Sequence, residues 1–434
     1  MARTQECILY RDFEHGEILN TMTSLMNSYE AKEEISQRKE EFFHMAGSLV
    51  EMAGMYGFSG NLWHNYLTQL LVNHENAFST ASEIRGAVEG SINHLAMHDF
   101  EIFKELYDFD LGVFDQIFGT DCTSFLLDYV NTGCNSKVYN QRICDRICDM
   151  SKTLAKADTV DEFMADMVQF YKDFGVGKLG LNKAFRIDHD ENGEVVIVPI
   201  TRIAHVNLDD LVGYEIPKQK LIENTEAFVR GRKANNCLLF GDAGTGKSSS
   251  IKGILNRYYD EGLRIIEVYK HQFQDLNDVI AQIKNRNYKF ILYMDDLSFE
   301  EFEIEYKYLK AVIEGGLEKK PDNILIYATS NRRHLVREKS GDKLEVADDE
   351  DLHSSDTVQE KLSLVYRFGV RIYFGAPNKK EFQNIVTTLA DRFGVTMSKE
   401  ELLMQANAWE LSHGGLTGRT AQQFIDHILG TREE

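Results

Sequence analysis

At 434 residues and 49.8 kDa the chain has room for two or three domains, and 48 Lys and Arg against 69 Asp and Glu leave a net charge of −21 that repels phosphate backbones and anionic lipid. A general nucleic-acid coat is thereby excluded, and so are disordered and collagen-like classes, since 43% of residues are hydrophobic and only 4 are proline. The first residues carry no apolar leader, no stretch approaches the ~18 apolar residues that span a bilayer, and 6 scattered cysteines fit a reducing compartment, so the expectation is a soluble cytoplasmic protein with no membrane partner.

From Glu17 to about Tyr171 apolar residues recur at helical spacing. Leu19, Met22, Leu25 and Met26 form one stripe, Leu62, Tyr66, Leu67, Leu70 and Leu71 another, and Phe163, Met164, Met167, Val168 and Tyr171 a third. They predict a mainly helical domain over 1–180 with the stripes as its core. Cys144 with Cys148, and His94 with His98, share helical faces at i, i+4. Neither pair has a second pair at metal-ligand spacing, so packing is the reading.

Gly175-Val176-Gly177-Lys178-Leu179-Gly180 fits the G-x-G-x-x-G dinucleotide pattern, but it follows a helix instead of a strand. It reads as a helix C-cap and connector. Ala184 to Ile187 and Glu194 to Val198 then flank Asn192-Gly193, a dipeptide suited to a tight hairpin turn, so 181–205 is a β-hairpin connector.

Beyond 205 the pattern becomes short apolar runs alternating with amphipathic helices. The runs are Cys237 to Phe240, Arg264 to Val268, Phe290 to Met294, Ile324 to Ala328 and Val370 to Phe374. Together they predict an α/β domain over 206–377 built on a parallel sheet.

Between the first run and a helical stripe of Ile251, Ile254, Leu255 and Tyr258 lies Gly241-Asp242-Ala243-Gly244-Thr245-Gly246-Lys247-Ser248, a G-x-x-x-x-G-K-[ST] phosphate loop. Its glycines let successive amides face one anion, Lys247 reaches the β/γ-phosphates, and Ser248 offers a hydroxyl to Mg²⁺. Asp242, Ala243, Gly244, Thr245, Gly246, Lys247, Ser248 and Ser249 are the candidate nucleotide-binding residues of this segment.

Tyr269-Lys270-His271 follows the second run, where threading ATPases place an aromatic pore loop, but the glycine expected there is missing. The third run ends in Asp295-Asp296. Asp295 is assigned to Mg²⁺ and Asp296 to the attacking water. The fourth ends in Thr329-Ser330-Asn331, and the Asn331 amide is the candidate for orienting water or sensing the γ-phosphate. Asp348-Asp349-Glu350-Asp351 reads as a solvated acidic loop. After Pro377, Asn378 with Glu381 and Ser398 with Glu401 are spaced as capping boxes and open a helical domain over 378–434.

Phosphate loop, acidic strand end and polar strand end in that order resemble an AAA+ ATPase. Leu211-Val212-Gly213-Tyr214 resembles the segment around adenine, which makes Val212 and Gly213 binding candidates, and Gly418-Arg419-Thr420 resembles the second sensor, whose Arg419 reaches the phosphates from the lid. More narrowly, Ala234-Asn235-Asn236, Asp295-Asp296-Leu297-Ser298-Phe299, Tyr327 to Leu335 and Glu360-Lys361-Leu362-Ser363 are similar to a bacterial AAA+ family of unassigned function, from about Asn182 onward. The resemblance implies a five-stranded parallel core, a helical lid, and ATP with Mg²⁺ bound between neighbouring subunits of a homo-oligomer, a ring or hexamer. It also implies an arginine supplied in trans. Arg367 stands at that position although Tyr366 replaces the family's Asp, and Arg332 and Arg333 are rival donors. Asp296 is shorter than the Glu usual in AAA+ proteins, but the narrower family also carries Asp-Asp.

The reading that follows is an ATPase, with catalytic residues Lys247, Asp295, Asp296, Asn331 and Arg367, that remodels a partner selected by its N-terminal region. Its alternative is a slowly hydrolysing ATP-gated switch. A protein partner fits the helical region. Nucleic acid stays open as a partner but is not indicated by the charge. A small-molecule kinase is disfavoured by Asn331 and Arg419.

Overall fold

The helical stripes of the N-terminal region close around one apolar core. In the computed structural model, which describes residues 4–431 apart from 88, 132–135, 137, 205, 300–304, 315–320 and 332–363, the chain divides into two units, Met1–Asn182 and Lys183–Glu434. Ten α-helices lie among the described residues of the first, from Gly16–Glu30 to Gly177–Leu181. Leu19, Met22, Tyr66, Leu67, Phe163 and Met167 enter a single buried cluster, with Met164 and Val168 packed on its rim. Each such side chain contributes about 1.5–3 kcal/mol when removed from water. Polar groups inside this unit are paired across long stretches of sequence. The wholly buried Asp99 carboxylate accepts the amides of Ile8, Leu9 and Tyr10 at 2.9, 2.7 and 2.9 Å. Gly175 ends the Val160–Phe174 helix at φ 80°, so the G-x-G-x-x-G segment begins as a helix cap.

The second unit is built on strands β1 (Ala184–His189), β2 (Val195–Pro199), β3 (Cys237–Gly241), β4 (Leu263–Glu267), β5 (Lys289–Met294), β6 (Ile324–Ser330) and β7 (Val370–Phe374). They form one sheet in the order β2-β1-β4-β5-β6-β3-β7. The five strands expected from the apolar runs, β4-β5-β6-β3-β7, are mutually parallel. All seven residues of β6 are buried, as a strand covered on both faces requires. The hairpin does more than connect. Its β1 pairs in parallel with β4, Ala184 opposite Ile265, so β1 and the antiparallel β2 extend the sheet to seven strands.

Helices Lys379–Arg392, Lys399–Ser412 and Gly418–Thr431 form a lid with its own core of Phe382, Val386, Ala406, Ala421 and Ile425. Asn378 and Glu381 cap each other reciprocally, whereas Ser398 only accepts the Glu401 amide. The lid is tied to the segment after the hairpin by Arg392, which donates to the Asp210 carbonyl at 3.0 Å, and by Val212, which packs against the lid core.

Candidate nucleotide-binding site

Parallel strands carry their functional groups at their carboxyl ends, and here β3, β5 and β6 end side by side. β3 runs straight into the phosphate loop, and the Lys247–Tyr258 helix follows with its amino end facing the loop. Gly241 cannot be anything larger: its φ is 134°, and a Cβ would lie 2.1 Å from the Phe374 carbonyl oxygen of β7. Thr245 closes the loop from inside, its hydroxyl donating to the Asp242 carbonyl at 2.8 Å. The lid helix docks on the same loop, with the Arg419 amide donating to the Gly244 carbonyl at 3.2 Å.

A cavity of about 640 Å³ opens between loop, strand ends and lid, a size that accommodates a nucleotide. Its apolar end is formed by Leu211, Val212, Ile385 and Leu389. Its polar end gathers Ala243, Gly244, Thr245 and Gly246 with Lys247, Ser248 and Ser249 of the loop and helix start. Asp295, Asp296, Asn331 and Arg419 complete the wall. Three candidates do not line it. Gly213 does not, the Asp242 carboxylate instead accepts the Ala376 amide at 2.7 Å, and Arg367 sits just before β7, outside the cavity wall. Arg332, Arg333, the acidic stretch at 348–351 and the phrase at 360–363 lie outside the described residues. Tyr269 is 47% exposed and stacks on His271, ring centroids 6.0 Å apart.

The charged groups are coupled to one another. Lys247 is buried, and its Nζ donates to the Gly241 and Asp242 carbonyls at 3.0 and 2.6 Å. Burial holds its ammonium below the usual lysine value, against the pull of Asp242, Asp296 and Asp295. Ser248 Oγ donates to Asp295 Oδ1 at 2.7 Å, and Thr329 Oγ1 donates to the same oxygen at 2.5 Å. Burial pushes the Asp295 carboxyl up, but the hydrogen bonds from Thr329, Ser248 and the Asp296 amide, with the Tyr293 hydroxyl close by though not bonded, outweigh it and hold the group below the usual carboxylate range. Asp296 adopts φ 51°, rare for a residue with a side chain, and its Oδ1 accepts the Asn331 amide at 2.7 Å.

A hydroxyl and an ionised carboxylate side by side are hard oxygen donors of the kind Mg²⁺ takes, and a buried lysine beside a loop of amides suits polyphosphate, so the residues present fit both groups. Among the described residues no cluster of three or more His, Cys, Asp or Glu has metal-holding geometry, so a cation here would be held by few side chains with phosphate oxygens and water. Thr329 and Tyr293 escaped sequence reasoning because, inside apolar strands, both are ordinary strand formers. Tyr214, the last residue of the segment that resembles the one around adenine, also lines the cavity, and so do Gln422 and Gln423, which carry no sequence signal of their own.

The order β4-β5-β6-β3-β7, the phosphate loop after β3, the acids after β5, the asparagine after β6 and the helical lid define a P-loop nucleotide-binding fold of the AAA+ class. Within that class, the chain belongs to the family described as Protein of unknown function (DUF815), whose model matches residues 181–432. Similar solved structures include a Thermotoga maritima RuvB mutant, at 17% identity and TM-score 0.38, covering 52% of this chain and 66% of that one. C. elegans PCH-2 matches at 16% identity and TM-score 0.36, with 52% and 65% covered. The Thermotoga maritima RuvB Holliday junction branch migration motor matches at 14% identity and TM-score 0.32, with 52% and 73% covered. The first two of these matches span just under two thirds of the other chain's length. No curated protein matches the sequence. Among the described residues no helix is long and apolar enough to cross a membrane.

Proposed function

We propose that this protein is a Mg²⁺-dependent ATPase that acts as a homo-oligomer and couples ATP turnover to the remodelling of a macromolecular partner. The observation that carries the reading is the convergence of Lys247, Ser248, Asp295, Asp296, Asn331 and Arg419 on one cavity. Bound Mg²⁺ supplies charge neutralisation at the phosphate oxygens, and Ser248 and Asp295 are the residues to hold it. Lys247 leaves the loop carbonyls to grip the β/γ-phosphates, and Arg419 brings the lid onto the same charge. Asp296 orients and polarises the water, while Asn331 fixes where that carboxylate points. Leu211, Val212, Ile385 and Leu389 receive the base and exclude water from it.

Phosphate release by wild type and by Lys247→Ala tests the hydrolytic claim, and equal rates would dismiss it. Arg367 is assigned to a neighbouring subunit's site. Arg367→Ala and Asp295→Ala chains, each inactive alone, then regain activity when mixed, because the second supplies the arginine and the first the intact site. A mixture that stays inactive removes the assignment. The Met1–Asn182 unit is the proposed seat of a protein partner.

One observation favours a second reading, an ATP-gated switch. The Asn331 amide already donates to one Asp296 oxygen and so competes with water for that carboxylate. While that bond holds, nucleotide is gripped without being turned over. Partner capture that requires ATP but persists without phosphate release marks the switch, and capture lost when release is blocked excludes it.

A further inference from the structure

Tyr293 lies two residues before Asp295 on β5 and faces the same side of the sheet. Its side chain is almost completely enclosed, 5% exposed, in a strand where Phe290, Ile291, Leu292 and Met294 are buried as well. The hydroxyl reaches the vicinity of Ser248, Asp295 and Thr329, close enough to interact with each. Even so, it makes no hydrogen bond of good geometry to any of them. A buried hydroxyl without a partner is destabilising, and a phenylalanine would fill the same space without that cost.

The arrangement around Asp295 shows what the hydroxyl is for. Oδ1 already accepts Ser248 Oγ at 2.7 Å, Thr329 Oγ1 at 2.5 Å and the Asp296 amide at 3.2 Å. Three donors on one carboxylate oxygen exceed its two lone pairs. Oδ1 is thereby saturated, so Oδ2 is the oxygen left for a cation, and the carboxylate has to be held with Oδ2 turned to it. Such groups need an outer partner to hold their orientation. Of the three hydroxyls around Asp295, only that of Tyr293 has no hydrogen bond left to break.

We propose that Tyr293 is a positioning residue for the metal end of the site: its hydroxyl engages the Asp295 carboxylate when Mg²⁺ arrives with nucleotide, and so holds that carboxylate toward the cation. The proposal rests on the reading of the cavity as a Mg²⁺-nucleotide site. It gives Tyr293 no contact with nucleotide and no part in metal-free binding.

Tyr293→Phe separates this role from packing, because it removes one oxygen and keeps the ring. Calorimetric titration with the non-hydrolysable ATP analogue AMP-PNP is done twice, with excess Mg²⁺ and with EDTA. In the variant, affinity in EDTA matches wild type, whereas the gain in affinity that Mg²⁺ confers falls about tenfold, equivalent to about 1.4 kcal/mol. The melting temperature of the ligand-free variant equals or exceeds that of wild type, since the lost oxygen had no partner. An undiminished Mg²⁺-dependent gain overturns the proposal, as do equal losses with and without the cation. A variant that melts lower or fails to fold without ligand overturns it as well, because the hydroxyl would then be structural. If wild type itself shows AMP-PNP binding without any Mg²⁺-dependent gain, or no binding at all, the failure belongs to the nucleotide-site reading, and the role of Tyr293 goes with it.

Discussion

Two regions of this molecule bury polar groups, and they do so in opposite ways. In the helical unit the partners of buried side chains are mostly main-chain atoms far away in sequence: Asp99 takes three amides near the amino end, Tyr171 donates to the Leu71 carbonyl at 2.8 Å, and Trp63 donates to the Leu106 carbonyl at 3.0 Å. Such bonds staple segments together and leave nothing over for a ligand. Around the cavity of the α/β unit Lys247 and Thr245 also bond loop carbonyls, but the metal and water end is built from pairs of functional side chains, Ser248 with Asp295, Thr329 with Asp295 and Asn331 with Asp296. Those pairs face an opening and can exchange one partner for another. What separates a structural network from a functional one here is therefore not burial but whether its members have an alternative partner within reach.

Substitution breaks or sharpens the contrast. The largest effect belongs to the cavity. Lys247→Ala lowers the rate of phosphate release by about 10²–10³-fold, as removal of one preorganised donor does elsewhere. It leaves the melting temperature near that of wild type, because the cost of burying the ammonium, which holds it below its usual pKa, offsets the hydrogen bonds it makes. A large fall in melting temperature would show that the network is structural after all. Asp99→Ala gives the reverse pattern. It strands the three amides and costs about 3 kcal/mol of stability, read as a lower denaturation midpoint of the full chain. The affinity for AMP-PNP is unchanged. Loss of nucleotide binding in that variant would erase the distinction drawn between the two regions.

The same contrast explains what was legible in the sequence. The phosphate loop is eight consecutive residues between a strand and a helix, and Asp295-Asp296 and Asn331 end strands whose apolar runs are plain, so these signals are local. The five parallel strands were readable for the same reason. That β1 would pair with β4 was not, because Ala184 meets Ile265 across a long stretch of chain and nothing local in either segment names the other. Thr329 and Tyr293 were hidden by composition. Each is a normal residue for a buried strand, and only the neighbouring Asp295 turns its hydroxyl into part of a site. Asp242, expected to serve the nucleotide, is instead turned toward the Ala376 amide, a contact with the chain just beyond the end of β7 that the loop motif does not encode.

The smallest predicted effect is a pH dependence confined to the helical unit. Burial holds the His64 imidazole below the usual histidine value of 6.5, although the Tyr107 carbonyl at 2.9 Å pulls it back upward. His74 is held down in the same way by burial, partly offset by the Arg11 carbonyl at 2.6 Å. Both are therefore neutral in the folded unit at a pH where the unfolded chain has begun to take up protons. The unfolded state then binds more protons than the folded one, so stability rises with pH through this interval. It is complete above about pH 6.5 and declines as the pH falls below that value toward the folded pKa of each ring. The chain has 2 tryptophans, Trp63 in the helical unit and Trp409 in the lid, so in a Trp409→Phe background Trp63 emission reports this unit alone. Its denaturation midpoint should fall on going from pH 7 to pH 5.5, and His64→Asn should flatten part of that slope. A midpoint that stays level or rises on acidification would mean that the two rings charge as readily inside the fold as outside it, and that the staples of this unit are less sealed from water than their hydrogen bonds imply.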